Sequence, residues 1–130
     1  LHVRSRRQRQ MCIRDRFLSS ANAMTSDGIL VNIDGNSNRV SCIAQGPKKV
    51  IFIVGMNKVC SDLDSAMKRA RNIAAPTNAQ NFDVKTPCKT TGKCYDCKSP
   101  DTLCCQFLIT RYSRHVGRIH VILVNDTLGY

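Results

Sequence analysis

KKVIFIVGMNKVCSDLDSAMKRARNIAA, residues 48–75, decides the fold class. Val50, Ile51, Phe52, Ile53 and Val54 form an unbroken apolar run, the pattern of a strand covered on both faces. From Asp62 to about Ala74 the period changes to that of a helix. Leu63, Ala66, Met67, Ala70, Ile73 and Ala74 recur on one face, while Asp64, Lys68 and Arg71 point the other way. Ser61 can cap this helix, Asp62 and Asp64 suit the positive end of its dipole, and Pro76 and Asn78 mark its end. Strand followed by crossover helix is the grammar of an α/β domain, with a mainly parallel sheet and flanking helices.

The flanking sequence fits that frame. FLSSANAMTSDGILVNIDG, residues 17–35, reads as a short strand, a turn at Ser26-Asp27-Gly28 and a second strand near Ile29–Ile33. Val40–Ala44 is a short apolar segment, helical turn or strand, closed by Gly46-Pro47. Further strands are expected near Gln106–Arg111 and Arg118–Val124. Between helix and strand lies a 29-residue stretch, Thr77 to Cys105. Structureless loops of that length are uncommon in small domains unless something holds them.

Length and composition bound the function. A chain of 130 residues with 42% hydrophobic content suits one compact domain. No run approaches the ~20 apolar residues needed to cross a bilayer, and no secretory signal pattern is present, so a cytoplasmic location is expected. The net charge of +11 is uneven: residues 1–16, LHVRSRRQRQMCIRDR, carry +5 of it. The rest is spread without a dense run, and with few aromatics to stack on bases, nucleic acid is not an expected partner. Composition breaks at Phe17. Residues 1–16 resemble the adapter-derived peptides translated at broken ends of gene assemblies and are expected to be a non-native leader; a nucleic-acid arm or targeting peptide would share the composition.

TPCKTTGKCYDCKSPDTLCC, residues 86–105, holds five of the eight cysteines. Cys88, Cys94, Cys97 and Cys104 follow a C-x5-C-x2-C-x6-C spacing. The central C-x2-C pair lets two sulfurs reach one ion from a tight turn, and Gly92 and Pro100 supply bends for the outer pair. Four thiolates suit tetrahedral zinc or an iron–sulfur cluster, although a zinc ribbon prefers two C-x2-C knuckles and bacterial ferredoxins use another spacing. Lys85, Lys89, Lys93 and Lys98 would offset thiolate charge. Free redox-active thiols and disulfides are the alternatives.

A second candidate site is NIDGNSNR, residues 32–39. Asp34, Asn38 and Arg39 combine a carboxylate, an amide and a guanidinium beside a turn glycine, which suits a small carboxylate or phosphate; the bland alternative is a polar turn that satisfies its own backbone. Asn22, Asn57 and Lys58 follow apolar strand segments, where open α/β sheets collect ligands, although a lysine there is commonly a solvated one. His115 and His120 carry no motif, and Cys42 and Cys60 read as small buried hydrophobes. Dinucleotide, Walker and nucleophile-elbow motifs are absent, so no catalytic residue is assigned.

Taken in order, SANAMTSDGILVNIDGNSNRV, GPKKVIFIVGMNKV, RNIAAPTNAQ, KTPCKTTGKCYDCKSPDTLCC and RIHVILVNDTLGY resemble the LUD-domain family, named for lactate utilisation. The likeness spans 17–130, and because the family domain is longer the chain reads as its C-terminal part. It implies an α/β fold like that of sugar-phosphate isomerases and CoA transferases. It also implies an association with lactate or 2-hydroxy-acid oxidation, in which related subunits carry iron–sulfur clusters. From that context an iron–sulfur cluster on Cys88, Cys94, Cys97 and Cys104 is the expected cofactor, zinc the alternative, and a redox protein a possible partner. Thr102 and Cys105 depart from the family pattern, which makes Cys105 the weakest of the five thiols as a ligand. The other readings are an isomerase- or CoA-transferase-like enzyme acting on a small anion, and a zinc-stapled structural module.

Overall fold

The computed structural model describes residues 16–130. The expected leader therefore lies outside the described residues, except Arg16, which opens the first strand. Among the described residues the order is β1 (Arg16–Ser19), β2 (Ala23–Thr25), β3 (Leu30–Asp34), α1 (Asn38–Ala44), β4 (Lys49–Gly55), a 3₁₀ turn (Met56–Lys58) and β5 (Val59–Cys60). There follow α2 (Leu63–Arg69), a π-helical segment (Ala70–Ala74), α3 (Ala75–Ala79), α4 (Pro87–Thr91), β6 (Gln106–Thr110) and β7 (Ile119–Val124).

The strands form two sheets. β1, β4 and β7 make a parallel sheet with β4 in the centre, in the register Leu18–Ile51–His120. The second sheet runs β5-β2-β3-β6, antiparallel at β2/β3 and β3/β6 and parallel at β2/β5. The fold is thus α/β with a parallel sheet and helices, as expected, joined by a mixed sheet that the strand pattern did not announce. The expected hairpin is β2–β3, where Gly28 takes φ 97 and its N–H donates to the Thr25 carbonyl at 3.0 Å.

Two cores separate three layers. Val50, Phe52 and Val54 of β4 meet Met24 and Leu30 of the second sheet, with Ile43 of α1 filling the gap between. The opposite face of the second sheet, Ala23, Val31 and Ile33, packs on Ala66 and Ala70. The long helix therefore covers the second sheet and not β4. That placement corrects the reading of β4 as covered on both faces: Val50, Phe52 and Val54 are fully buried, but Ile53 is 41% exposed.

The helix itself differs from its sequence pattern in three ways. Asp62, not Ser61, is the N-cap, its Oδ1 accepting the Ser65 N–H at 2.7 Å. The helix does not stop at Pro76 but runs to Ala79. The cause is the π segment, whose wider turn inserts one residue and loosens the hydrogen-bond ladder ahead of the proline. Ala66, Ala70 and Ala74 are buried at four-residue steps, and the next buried alanine is Ala79, five residues on. Ile73, assigned to the inner face by a regular period, is half exposed. The cysteine-rich stretch is not wholly irregular either, since α4 lies within it.

Candidate functional site

β4 ends at Gly55, and the chain must turn at once. A side chain at Gly55 would collide with Asn57 Oδ1 and come within 2.7 Å of the Leu128 nitrogen and 2.8 Å of the Asp126 oxygen. Residues 126–128 cross there, and the 3₁₀ turn that avoids them carries Lys58 inward. Lys58 is 5% exposed, against the usual solvated lysine. It lines a cavity of about 510 Å³ with Ser20, Asn22, Asp34, Asn38, Arg39, Phe82, Leu103 and Tyr130. Five of the six expected ligand residues thus meet in one place. Asn57 stands outside the lining: its amide donates to the Gly129 carbonyl at 3.1 Å and its Oδ1 accepts from the Leu128 N–H at 3.2 Å.

Asp34 and Arg39 turn out to be engaged with each other. Asp34 Oδ2 accepts the Arg39 and Val40 N–H groups at 2.9 and 2.8 Å, and Oδ1 accepts from Arg39 Nε at 3.1 Å. Arg39 Nη2 donates to Asn22 Oδ1 and to the Ile33 carbonyl, both at 2.8 Å, and Nη1 reaches the Ser20 carbonyl at 3.4 Å. Most of the guanidinium is therefore occupied, and it cannot clamp an anion in the bidentate manner its spacing suggested. Arg69, outside the lining, donates to the carbonyls of Asn57 and Asn22, at 2.9 and 2.6 Å.

Lys58 is different. Its Nζ donates to Ser20 Oγ at 3.1 Å, and among the described residues it has no carboxylate partner. Burial, then the nearby charges of Arg69 and Arg39, push its pKa below the usual lysine value. With Asp34 neutralised by Arg39, the cavity carries excess positive charge and suits a small anion.

A second cavity, about 30 Å³, is lined by Cys88, Cys94, Cys97 and Cys104 together with Arg71, Ala75, Thr102 and Phe107. The four cysteines predicted as a set do converge. Cys105 is exposed and outside this lining, and Cys42 is buried elsewhere. The knuckle forms because Asp96 adopts φ 53, a left-handed conformation that Asp tolerates better than most residues. The turn directs the Asp96 N–H onto Cys94 Sγ at 3.4 Å, and Arg71 Nη2 donates to the same sulfur at 3.4 Å and to Asp96 Oδ1 at 2.8 Å. Cys97 Sγ meets Thr102 Oγ1 at 3.6 Å, and Cys88 Sγ meets Thr86 Oγ1 at 3.3 Å. Burial, followed by Cys94, Cys88 and Cys97, pushes the Cys104 thiol up to about 11.

Among the described residues no group of three or more His, Cys, Asp or Glu side chains is arranged to hold a metal ion as it stands. The donor set nonetheless fits a tetrathiolate site in chemistry: four thiols on one cavity, with N–H and guanidinium donors aimed at a sulfur. Side-chain rotation would have to bring the sulfurs together, and a bound metal would displace the thiol protons. Sequence reasoning missed Arg71, read as solvent-facing, and Ser20, which carried no motif. Helical periodicity around the π segment could not place the first, and only the fold brings the second to Lys58.

The two cavities are neighbours. Leu103 lines the larger and Cys104 the smaller, and α3 contributes Ala75 to one while Asn78 lines the other. No curated protein and no solved structure matches the chain. The sequence profile of the LUD domain matches residues 2–124, nearly the whole chain, and the protein therefore belongs to the LUD-domain family.

Proposed function

We propose that this protein serves lactate or related 2-hydroxy-acid utilisation by carrying a thiolate-bound redox centre. Family membership is consistent with lactate utilisation. The observation that carries the finer reading is the convergence of Cys88, Cys94, Cys97 and Cys104 on one cavity, although they span 17 positions of chain, most of it outside helix and strand. These four residues would hold an iron–sulfur cluster, which supplies one-electron transfer when bound. The chain's own part is to keep the thiols together and moderate their charge. Arg71, raised in pKa chiefly by its hydrogen bond to Cys94, remains cationic beside them.

Anaerobic purification followed by iron, sulfide and zinc analysis and a visible spectrum tests this. Iron with matching sulfide and a broad visible absorption supports the proposal; stoichiometric zinc in a colourless protein replaces it with the zinc-stapled module. Absence of both metals overturns it.

The Lys58 cavity supports a second role, binding of a small carboxylate or phosphate. Its volume is in the range of small-molecule sites, and Lys58, which has no carboxylate partner among the described residues, favours an anion. Titration calorimetry with acetate, lactate and phosphate tests that role, and no heat with any of them would remove it.

A further inference from the structure

Lys58 is an unusual group to find in such a cavity. A lysine only 5% exposed ordinarily has a carboxylate beside it, because an unpaired buried ammonium is costly. Here the carboxylate of Asp34, which lines the same cavity, is bonded to Arg39 and to the start of α1. The groups around Lys58 are a hydroxyl, Ser20 Oγ at 3.1 Å, and the two guanidiniums of Arg69 and Arg39. Both guanidiniums are fixed by hydrogen bonds to the chain, to Asn22 and Asn57 carbonyls in one case and to Asp34, Asn22 and Ile33 in the other. The surroundings therefore press the amine toward its neutral form, whose lone pair is nucleophilic.

We propose that the Lys58 amine forms a reversible imine with a small 2-oxo carboxylate seated in this cavity. The proposal rests on the reading of the cavity as an anion site. The two requirements of the ligand follow from the two features of the site: a carbonyl for the amine, and a carboxylate for the Asn22 amide and for the nearby charge of Arg69, which no carboxylate offsets among the described residues. The amide nitrogen of Asn22, whose Oδ1 is held by Ile33 N–H and Arg39, has no protein partner among the described residues and is available to the ligand. In the reaction the nitrogen lone pair adds to the carbonyl carbon, and the carbonyl π electrons move to oxygen. Ser20 relays a proton from nitrogen to that oxygen, giving a carbinolamine. Loss of water forms the C=N bond, and addition of water reverses it, so no oxidant or reductant is consumed.

The test uses the full chain and pyruvate as probe, with two readouts. Saturation-transfer NMR reports binding, and sodium borohydride followed by peptide mapping reports imine. The expected result is a reduced adduct on the Lys58 peptide at least about tenfold above any other lysine, because burial beside two guanidiniums leaves more of this amine unprotonated than of a solvated lysine. Lys58→Arg, which keeps a cation but removes the nucleophilic amine, should abolish the adduct, and Ser20→Ala should slow trapping. Should Lys58→Arg not fold, mapping of the wild-type adduct decides alone. Pyruvate bound with no adduct on Lys58, or with adducts spread evenly over the lysines, overturns the imine and leaves the anion site standing. Neither binding nor adduct overturns both.

Discussion

Lys58 and Arg39 have exchanged the parts their sequence positions suggested. Arg39, the apparent ligand clamp, ties β3 to α1, and Lys58, the apparent surface lysine, faces the cavity. Each assignment gives an opposite prediction. Arg39→Ala leaves a buried Asp34 carboxylate without its partner and several acceptors unpaired, and should lower stability by about 2–4 kcal/mol in urea titrations. Lys58→Met should weaken binding of a small carboxylate by ~1.5–3 kcal/mol in calorimetry, yet leave Tm unchanged or raised. The sign follows from the lowered pKa. At low pH both folded and unfolded Lys58 are protonated, and the fold bears the full cost of a buried charge. Between the lowered folded value and the ordinary 10.5, only the unfolded chain keeps its proton, so stability should climb with pH across that window. Lys58→Met should lack this rise in pH-dependent melts. Residue type and turn chemistry made these positions visible in the sequence. Asn22 was visible too, but Arg69 and Ser20 were not, because they reach the site only through folding.

Among the elements, β4 and the hairpin were legible because each rests on a local cause, a five-residue apolar run and an Asp-Gly turn. The second sheet was less so. β2 and β5 are only three and two residues long, too short to show a period, and they owe their existence to β3 and α2 beside them. The π segment was invisible for a related reason: a one-residue insertion shifts the buried face but leaves each half looking like an ordinary helix. Its trace is Ile73, which a regular period puts on the inner face and which is half exposed. Gly55 offers a sharper case, since nothing in GMN distinguishes a permissive turn from a crowded crossing. The added methyl of Gly55→Ala would meet backbone atoms of Asp126 and Leu128 that cannot rotate away. A loss of about 1–3 kcal/mol is expected, measured by urea unfolding. Because the 3₁₀ turn follows directly, the Lys58 cavity should also lose anion affinity.

Over the molecule as a whole, the cysteine-rich loop is fastened to the α/β layers by polar contacts at a few points and by Cys104, which packs against the second core. Asn72 Oδ1 accepts the Cys94 N–H at 3.1 Å, Arg71 bridges Cys94 and Asp96, and the Cys105 N–H donates to the Asp34 carbonyl at 3.0 Å. Within the loop, Asp101 Oδ2 accepts the Lys85 N–H at 2.9 Å, and Tyr95 is 62% exposed. Ordering this much backbone costs roughly 1–2 kcal/mol per residue, more than such contacts return. Metal coordination by the four thiols would make up the difference, since a structural metal site couples binding to folding. Cys97→Ser should therefore release the metal and expose residues 86–105 to limited proteolysis, while β1–β7 and α2 keep their circular dichroism and melting transition. Cys105→Ser, at an exposed sulfur outside the cavity, should change neither. Metal retained in Cys97→Ser would exclude the four-thiol site, and a loop equally protected in metal-free wild type would show that packing alone holds it.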